Sequence, residues 1–436
     1  MKKELKQVMK LKGGENSHLN AELLTEVGID GKPLYGNPYA GGIDLGARAR
    51  LPGWTNIGDI SSVIRTAVNL GAIYEDSQEP HIAVSSKHTR PVAIAKGRTQ
   101  EEAAIKAIAG DLNSPFGGVW GFNSPLTYET AQFIDRMFIE GVVAPVFEEG
   151  TADLLKDTSK VKAHRNRFLL EVGDELTPKI VNGKYSLTPA ALGYHVKQDR
   201  EPTFDASAEC SVVTGNNGIS DIESLDDALL NDIDFAGNAA IFLSSNLVFY
   251  VHNGAVAGLG DGCGARTVAA EKARNMLQNS AYAALSANDD ELWDAVLFDT
   301  PFTREDFEGT IKTPIRLTAF SDAFYPKLDG FVETAGIDRV KRQFGERRVK
   351  YTEGKKRVTF IPKKDNFDPK YDKGLIPAVV VQPGGSLGDR VILPIAEKYK
   401  IKMVFTMDES TYKQYQEVGP GKGITGRRFF GHNIQI

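Results

Sequence analysis

Cysteine is almost missing: Cys210 and Cys263 are the only two in 436 residues. They are not spaced as C-x-x-C, which excludes a disulfide framework and a thiolate zinc motif, and such usage fits a reducing, cytoplasmic compartment. The seven histidines, His18, His81, His88, His164, His195, His252 and His432, contain no H-E-x-x-H pair, so no metal site is expected. No apolar run approaches eighteen residues, which excludes a membrane-spanning helix of the usual kind. The opening "MKKELKQVMKLKGG" is lysine-rich, but no signal-peptide core follows it; a solvated arm is expected there. G-x-x-x-x-G-K-[ST] is missing, so an ATP P-loop has no support. A large excess of positive charge is missing too: the net charge is -5, which argues against a nucleic-acid partner.

What is present is 41% hydrophobic and 25% charged residues, enough apolar side chain for two or three soluble domains at this length. Residues 1–30 read as an extension. From 31 to 199, β-runs alternate with helical patterns: "HIAVSS", "PVAIA", then "TQEEAAIKAIAGDL" with a Thr99-x-x-Glu102 capping box. "TYETAQFIDRMFIEG" reads as a helix ending at Gly141, followed by the strand "VVAPVF". Such alternation predicts a layered α/β unit. The polar stretch "KQDREPTFDASAE" precedes a second unit over 200–436. There "SLDDALLNDIDFAGNAAIFLSS" is helical with Ser224 as N-cap, and Asn253-Gly254 between apolar runs predicts a hairpin. "RTVAAEKARNMLQNSAYAAL" reads as one amphipathic helix, and "AVVVQP" and "IKMVFT" as strands. The basic stretch 336–372 contains "RVKYTEG" and "KKRVTF", which can pair as a hairpin.

Several short stretches have the composition of a reactive site. In "AVSSKHTRPVAIA", Lys87 and His88 stand side by side between two buried runs. Neighbours on a strand point to opposite faces, so both reach one ligand only if the strand ends there; Pro91 supports a break. "SPFGGVWGFN" offers a Gly117-Gly118 backbone that a ligand can approach closely. "GLGDGCGARTVAAEKA" feeds a glycine loop into a helix whose N-terminal amides favour anions. "SDAFYP" and "QPGGSLGD" follow β-runs. The glycine loop fits a degenerate G-x-G-x-x-A, yet it follows a hairpin rather than the first parallel strand of a dinucleotide site.

Taken in order, "LYGNPY", "KHTRP", "SPFGGVWGFN", "IEGVVAP", "SSNLVFYVHNGAVAGLGDGCGAR", "SDAFYP", "VQPGGS" and "TGRRFFGH" resemble the formyltransferase part of the bifunctional purine-biosynthesis protein family. The resemblance spans roughly residues 34–432. It implies transfer of a formyl group from 10-formyltetrahydrofolate to 5-aminoimidazole-4-carboxamide ribonucleotide (AICAR). It also implies two tandem zinc-free units of the cytidine-deaminase-like fold and a cytoplasmic homodimer with active sites at or near the interface. The family's cyclohydrolase domain is not matched, so a separate cyclohydrolase is the expected partner for ring closure.

The resemblance gives the basic pair a task. The aromatic amine of AICAR is a weak nucleophile, because its lone pair is delocalised toward the carboxamide. Formyl transfer to it needs a base for the amine proton and positive charge for the developing oxyanion. The resemblance makes His88 the proton-transfer residue, Lys87 its electrostatic partner, and Asn246 the group that orients the formyl oxygen or the imidazole. Tyr35 closes over the substrate ring, and Phe116, Gly117 and Glu140 line the nucleotide pocket. Arg428 and Arg266 are phosphate candidates. Leu259, Phe324, Pro326 and Asp329 fall at folate positions, with Asp329 the acidic pterin contact.

The sequence also departs from the family pattern. Leu34 stands where the family has a phosphate-binding arginine, and Tyr39 replaces a histidine. Asp261 and Cys263 replace an alanine and a glutamine, and 336–372 and 408–424 look inserted. Arg90 or Lys32 are the candidate replacements for the missing phosphate cation, and the basic insert has the charge to attract a polyglutamate tail. Two other readings stay open at this stage: an oxidoreductase using the glycine loop at 258–264, and a catalytically idle nucleotide-binding relative.

Overall fold

The computed structural model describes residues 4–12, 15, 18–27, 52–157, 167–173, 185–189, 195–199, 203–213, 219–220, 225–326, 328–337, 347–352, 355–360 and 375–429. The amino-terminal segment is not simply a solvated arm: β1 (Glu4–Lys10) and β2 (Glu22–Val27) pair antiparallel. The first unit contributes β3 (His81–Lys87), β4 (Arg90–Gly97), β5 (Val119–Phe122), β6 (Gly141–Ala144) and β7 (Phe168–Glu171). A small pair, β8 (Tyr185–Pro189) and β9 (His195–Asp199), follows. The second unit contributes β10 (Ser211–Val213), β11 (Ile219–Ser220), β12 (Val248–His252), β13 (Ala255–Gly260) and β14 (Thr318–Ser321). The basic stretch forms the expected hairpin, β15 (Arg347–Thr352) with β16 (Lys355–Phe360), before β17 (Val379–Gln382) and β18 (Lys402–Phe405).

One sheet of twelve strands carries both units, in the order β11-β10-β18-β17-β14-β12-β13-β4-β3-β5-β6-β7. Its two halves repeat one plan. In each, a hairpin (β3–β4 or β12–β13) sets its second strand at the middle of the sheet, and its first strand pairs antiparallel with β5 or β14. Two further strands then add in parallel, β6 and β7 or β17 and β18. The halves meet where β4 runs antiparallel to β13, with Ala95 opposite Ala255.

Helices cover both faces. Period-two alternation sends Ile82, Val84, Ile94 and Val119 to one core, with α1 (Trp54–Tyr74) and α2, defined here as Gln100–Gly110, on opposite sides. On the α2 side the strands at the middle of the sheet, β3, β4 and β13, present small residues, Ala83, Ala93, Ala95, Ala255 and Ala257. The second unit repeats this, with α4 (Asp227–Ala240) on the α1 face and α5 (Arg266–Gln278) on the other. α3 (Tyr128–Asp135) lies between β5 and β6. A Cβ on Gly260 would collide with the Ala269 carbonyl of α5, so glycine there is what permits the close approach. Packing of this kind on both faces makes a three-layer α/β architecture. No helix among the described residues is long and apolar enough to cross a membrane.

Three helix boundaries differ from the expectation. α3 stops at Asp135 rather than Gly141, because the carbonyls that follow are drawn elsewhere. Phe138 accepts from the Gly117 N–H at 2.7 Å and Ile139 from Arg167 Nε at 3.4 Å. α4 is capped by Asp226, whose carboxylate accepts from the Leu229 N–H at 3.1 Å, and not by Ser224, which lies outside the described residues. The long helix from Arg266 breaks at Asn279, and Ser280 caps a new helix, Ala281–Ala287; a serine hydroxyl competes for backbone amides and favours such a start.

Candidate active site

β3 ends at Lys87, and the connection to β4 is the two-residue turn His88-Thr89, with φ of 56° and 66°. Left-handed backbone at both central positions is the type I′ geometry that suits a twisted hairpin. Glycine, asparagine and aspartate enter it readily and histidine does so more often than most residues, whereas β-branched threonine does so against steric resistance. Two features of α1 hold the turn. The Asp59 carboxylate accepts from the Thr89 N–H at 2.6 Å, and Gly58 leaves the space that the Thr89 methyl fills. Pro91 is no break: it lies inside β4, opposite Ser86 at a bulge.

The turn sends its two basic side chains in different directions. Lys87 is half-buried and its ammonium donates to the Phe116 carbonyl at 2.8 Å, while His88 is exposed. Gly117 is left-handed at φ 73°, the conformation that favours glycine. Phe116 is 56% exposed and packs on Phe138 with centroids 5.3 Å apart. Glu140 donates its N–H to the Gly118 carbonyl at 2.9 Å, and its carboxylate accepts from Asn56 of α1. Beneath them, burial pushes the Asp59 carboxyl up to about 7; the Glu140 charge adds to the rise, while the Thr89 N–H and Lys87 oppose it.

The second unit supplies the rest of this end of the sheet. Because β4 and β13 are antiparallel, Arg90 lies beside the loop after Gly260, its guanidinium 4.0 Å from Asp261 and against Gly262. Lys272 holds the other oxygen of Asp261 at 3.2 Å. Asn246 is fixed to the same loop, donating its backbone N–H and its Nδ2 to the Cys263 carbonyl at 3.2 and 2.9 Å. Lys87, His88, Phe116, Gly117 and Glu140 therefore share one end of the sheet with Asn246, linked through Arg90 and the 261–263 loop.

Other expected positions lie elsewhere. Arg266 is buried and donates to the Leu247 carbonyl at 2.7 Å and to the Asp322 carboxylate. Asp322 in turn accepts from Ser245 Oγ and from the Leu247 N–H. The position expected to meet phosphate is thus an internal brace behind Asn246. Leu259 is also a correction: its side chain is buried in the core, so it offers no surface to a folate. Arg428 is exposed and stands 5.1 Å from the half-buried Phe324 ring. Pro326 is exposed, and Asp329 is exposed on the first turn of α6 (Leu328–Ala335). Tyr35, Lys32, Leu34 and Tyr39 lie outside the described residues. Sequence reasoning missed Asn56 and Asp59. The available signal was the lone charged residue on the Asp59-Ser62-Val63-Thr66 face of "WTNIGDISSVIRTAV".

The glycine loop follows β13, which is antiparallel to both neighbours, so the parallel strand–loop–helix context of a dinucleotide site is not there. Comparison with known proteins points the same way. Residues 1–276 match the family model described as the AICARFT/IMPCHase bienzyme. Among curated relatives, the bifunctional purine biosynthesis protein PurH of Chlorobaculum parvum is 27% identical over 346 residues, 79% of this chain and 50% of that protein. PurH of Chlorobium phaeovibrioides is 24% identical over 405 residues, 92% of this chain and 58% of its own length. PurH of Brucella anthropi is 26% identical over 353 residues, 81% and 50% respectively. The chain spans about half the length of the curated relatives it matches.

Proposed function

Because the chain belongs to the AICARFT/IMPCHase bienzyme family, we propose that it is an AICAR formyltransferase of purine biosynthesis, with 10-formyltetrahydrofolate as donor. The observation that supports the proposal is the end of β3, where Lys87, bonded to the Phe116 carbonyl, and the exposed His88 flank one strained turn at the end of the sheet that also holds Glu140 and Asn246. In the reaction the AICAR amine nitrogen bonds to the formyl carbon, and the bond from that carbon to the folate nitrogen breaks. His88 takes the proton that the amine loses, and a proton returns to the departing nitrogen. Lys87, anchored through the Phe116 carbonyl, supplies positive charge to the oxyanion between these steps. Asn246 orients the formyl oxygen or the imidazole. Phe116, Gly117 and Glu140 line the nucleotide pocket, with Arg90 and Arg428 as the remaining phosphate partners, and the family resemblance adds Tyr35 as the residue that stacks on or closes over the imidazole. Phe324, Pro326 and Asp329 meet the folate.

The repeated strand plan supports reading 31–199 and 200–436 as two tandem units of the cytidine-deaminase-like kind. The chain acts as a cytoplasmic homodimer. The test is spectroscopic: tetrahydrofolate released with AICAR present, in the unaltered protein and in His88→Ala and Lys87→Ala. Turnover that disappears in both variants is expected. Turnover that survives both, or nicotinamide binding without folate binding, overturns the reading.

A further inference from the structure

The two hairpins at the middle of the sheet are held from below in the same way. Asp59 is the sixth residue of α1, which begins at Trp54, and Asp232 is the sixth residue of α4, which begins at Asp227. Asp59 accepts from the N–H of Thr89, the second central residue of its turn, at 2.6 Å. Asp232 accepts from the N–H of Gly254, the second central residue of the related turn, at 2.7 Å, and from Asn253 at 3.0 Å. Both aspartates are at most 3% exposed. A buried carboxylate under a reverse turn is expensive to keep, and it persists where the backbone it holds matters.

Only one of these turns is demanding. Asn253-Gly254 adopts left-handed backbone with little resistance, while the β-branched Thr89 does not. The first helix also makes a second accommodation: a Cβ at Gly58 would collide with Thr89 Cγ2, so the residue next to Asp59 is small where the Thr89 methyl descends. We infer that Gly58 and Asp59 together are positioning residues for the reaction, a socket that seats Thr89 and thereby aims Lys87 and His88. The socket touches neither substrate. It acts through the backbone of the turn, and the inference rests on the reading of Lys87 and His88 as the reacting pair. Besides Thr89, the charged groups facing Asp59 are Lys87 at the end of β3 and Glu140 before β6.

The test is steady-state kinetics with AICAR and 10-formyltetrahydrofolate. Asp59→Ala should lower kcat by about 10- to 100-fold, the size of effect usual for groups that orient a reacting residue, with the KM for AICAR little changed. Asp59→Asn, whose amide oxygen still accepts from Thr89, should recover most of that loss. Gly58→Ala should lower kcat without touching any charge, and Gly58→Ala with Thr89→Ser, which removes the obstructing methyl, should restore it. A folded Asp59→Ala with unaltered kcat, an Asp59→Asn no better than alanine, or a Gly58→Ala loss that Thr89→Ser does not relieve each overturns the inference. If Asp59→Ala does not fold, the Gly58 pair decides. His88→Ala separates the two levels: its full activity would sink the reading of the site, whereas its inactivity beside normal Asp59 and Gly58 variants would sink only the socket.

Discussion

The turn at Lys87-His88-Thr89-Arg90 and the turn at His252-Asn253-Gly254-Ala255 occupy related places in the two halves of one sheet. They have the same backbone geometry and the same buried aspartate beneath, and almost nothing else in common. In the second, the residues are those the geometry prefers, and His252 is buried, its Nε2 within 2.8 Å of the Lys312 carbonyl and its Nδ1 within 3.0 Å of that of Arg316. In the first, threonine at the second central position suits the backbone poorly and the histidine is exposed. A chain that carries the comfortable version of a turn and also the uncomfortable one shows that the discomfort is not forced by the fold. On the function proposed above, strain retained beside Lys87 and His88 is where the fold serves the reaction.

The largest contrast should come from the two histidines. His88→Ala should lose about 10²- to 10⁴-fold in kcat, as expected when a proton-transfer group is removed, with the thermal midpoint nearly unchanged because the ring is exposed. His252→Ala should do the opposite. It removes a buried ring that packs against Tyr282 and leaves two carbonyls without their partner, so stability should fall by roughly 2–4 kcal/mol while kcat of the folded fraction holds. Denaturant melts paired with initial rates measure both. Equal kinetic losses would mean that the two turns are functionally alike, and the contrast would be broken.

Next in size is a pH effect beneath the reactive turn. Asp59 has its pKa raised from 3.8 to about 7, so the folded protein holds that proton more tightly than the unfolded chain does. Stability contributed by the group is therefore full below about pH 4 and falls as pH rises toward 7. Asp59→Asn removes that titration, and the variant should be more stable than the parent at pH 8 by on the order of 1–3 kcal/mol. At pH 4 the difference should nearly vanish. Urea unfolding at the two pH values is the measurement, and an Asn variant less stable at pH 8 would show that the carboxylate is well compensated where it sits. Its counterpart Asp232 is likewise raised by burial, so the pH dependence of the parent alone cannot separate them; the variant can.

How much of this was legible beforehand depends on how local the cause was. The Asn253-Gly254 hairpin and the pairing of "RVKYTEG" with "KKRVTF" are set by neighbours in sequence and stand as expected, while of the Thr99-x-x-Glu102 box only the Thr99 half forms, the Glu102 carboxylate accepting from the Arg98 N–H instead. That β3 ends at Lys87-His88 was visible because a basic pair at the end of an apolar run is unusual. The premature end of α3 was not visible, since it depends on Gly117 and Arg167 claiming carbonyls after Asp135. Arg266 and Leu259 were misplaced for the same reason. A motif shows that an arginine follows a glycine loop, but only the fold shows that Asp322 stands behind it. Asp59 was hidden most thoroughly, because its partner is thirty residues away and the contact is to a backbone amide.

The smallest effect is the most direct test of the strain itself, and it works by exchanging the character of the two turns. Thr89→Gly removes a β-branched side chain from φ 66°. Left-handed backbone resists such a residue by roughly 1–2 kcal/mol, and the greater freedom of glycine in the unfolded chain takes back about 0.5–1. A net gain of roughly 0–1.5 kcal/mol should remain, accompanied by lower kcat as the turn loosens. Gly254→Ala places a side chain at φ 71°, against the stem of Lys96, whose Nζ lies 4.4 Å from the Tyr74 ring centre and 3.7 Å from Glu79. That variant should lose about 1–2 kcal/mol and keep its kcat. Opposite signs in stability, with a kinetic penalty only in the first turn, would show that one half of the sheet gives up stability for alignment and the other does not. The same sign in both would mean that Thr89 is better supported by Gly58 and Asp59 than its dihedral angles imply, and the seat beneath the turn would then relieve the strain instead of merely holding it in place.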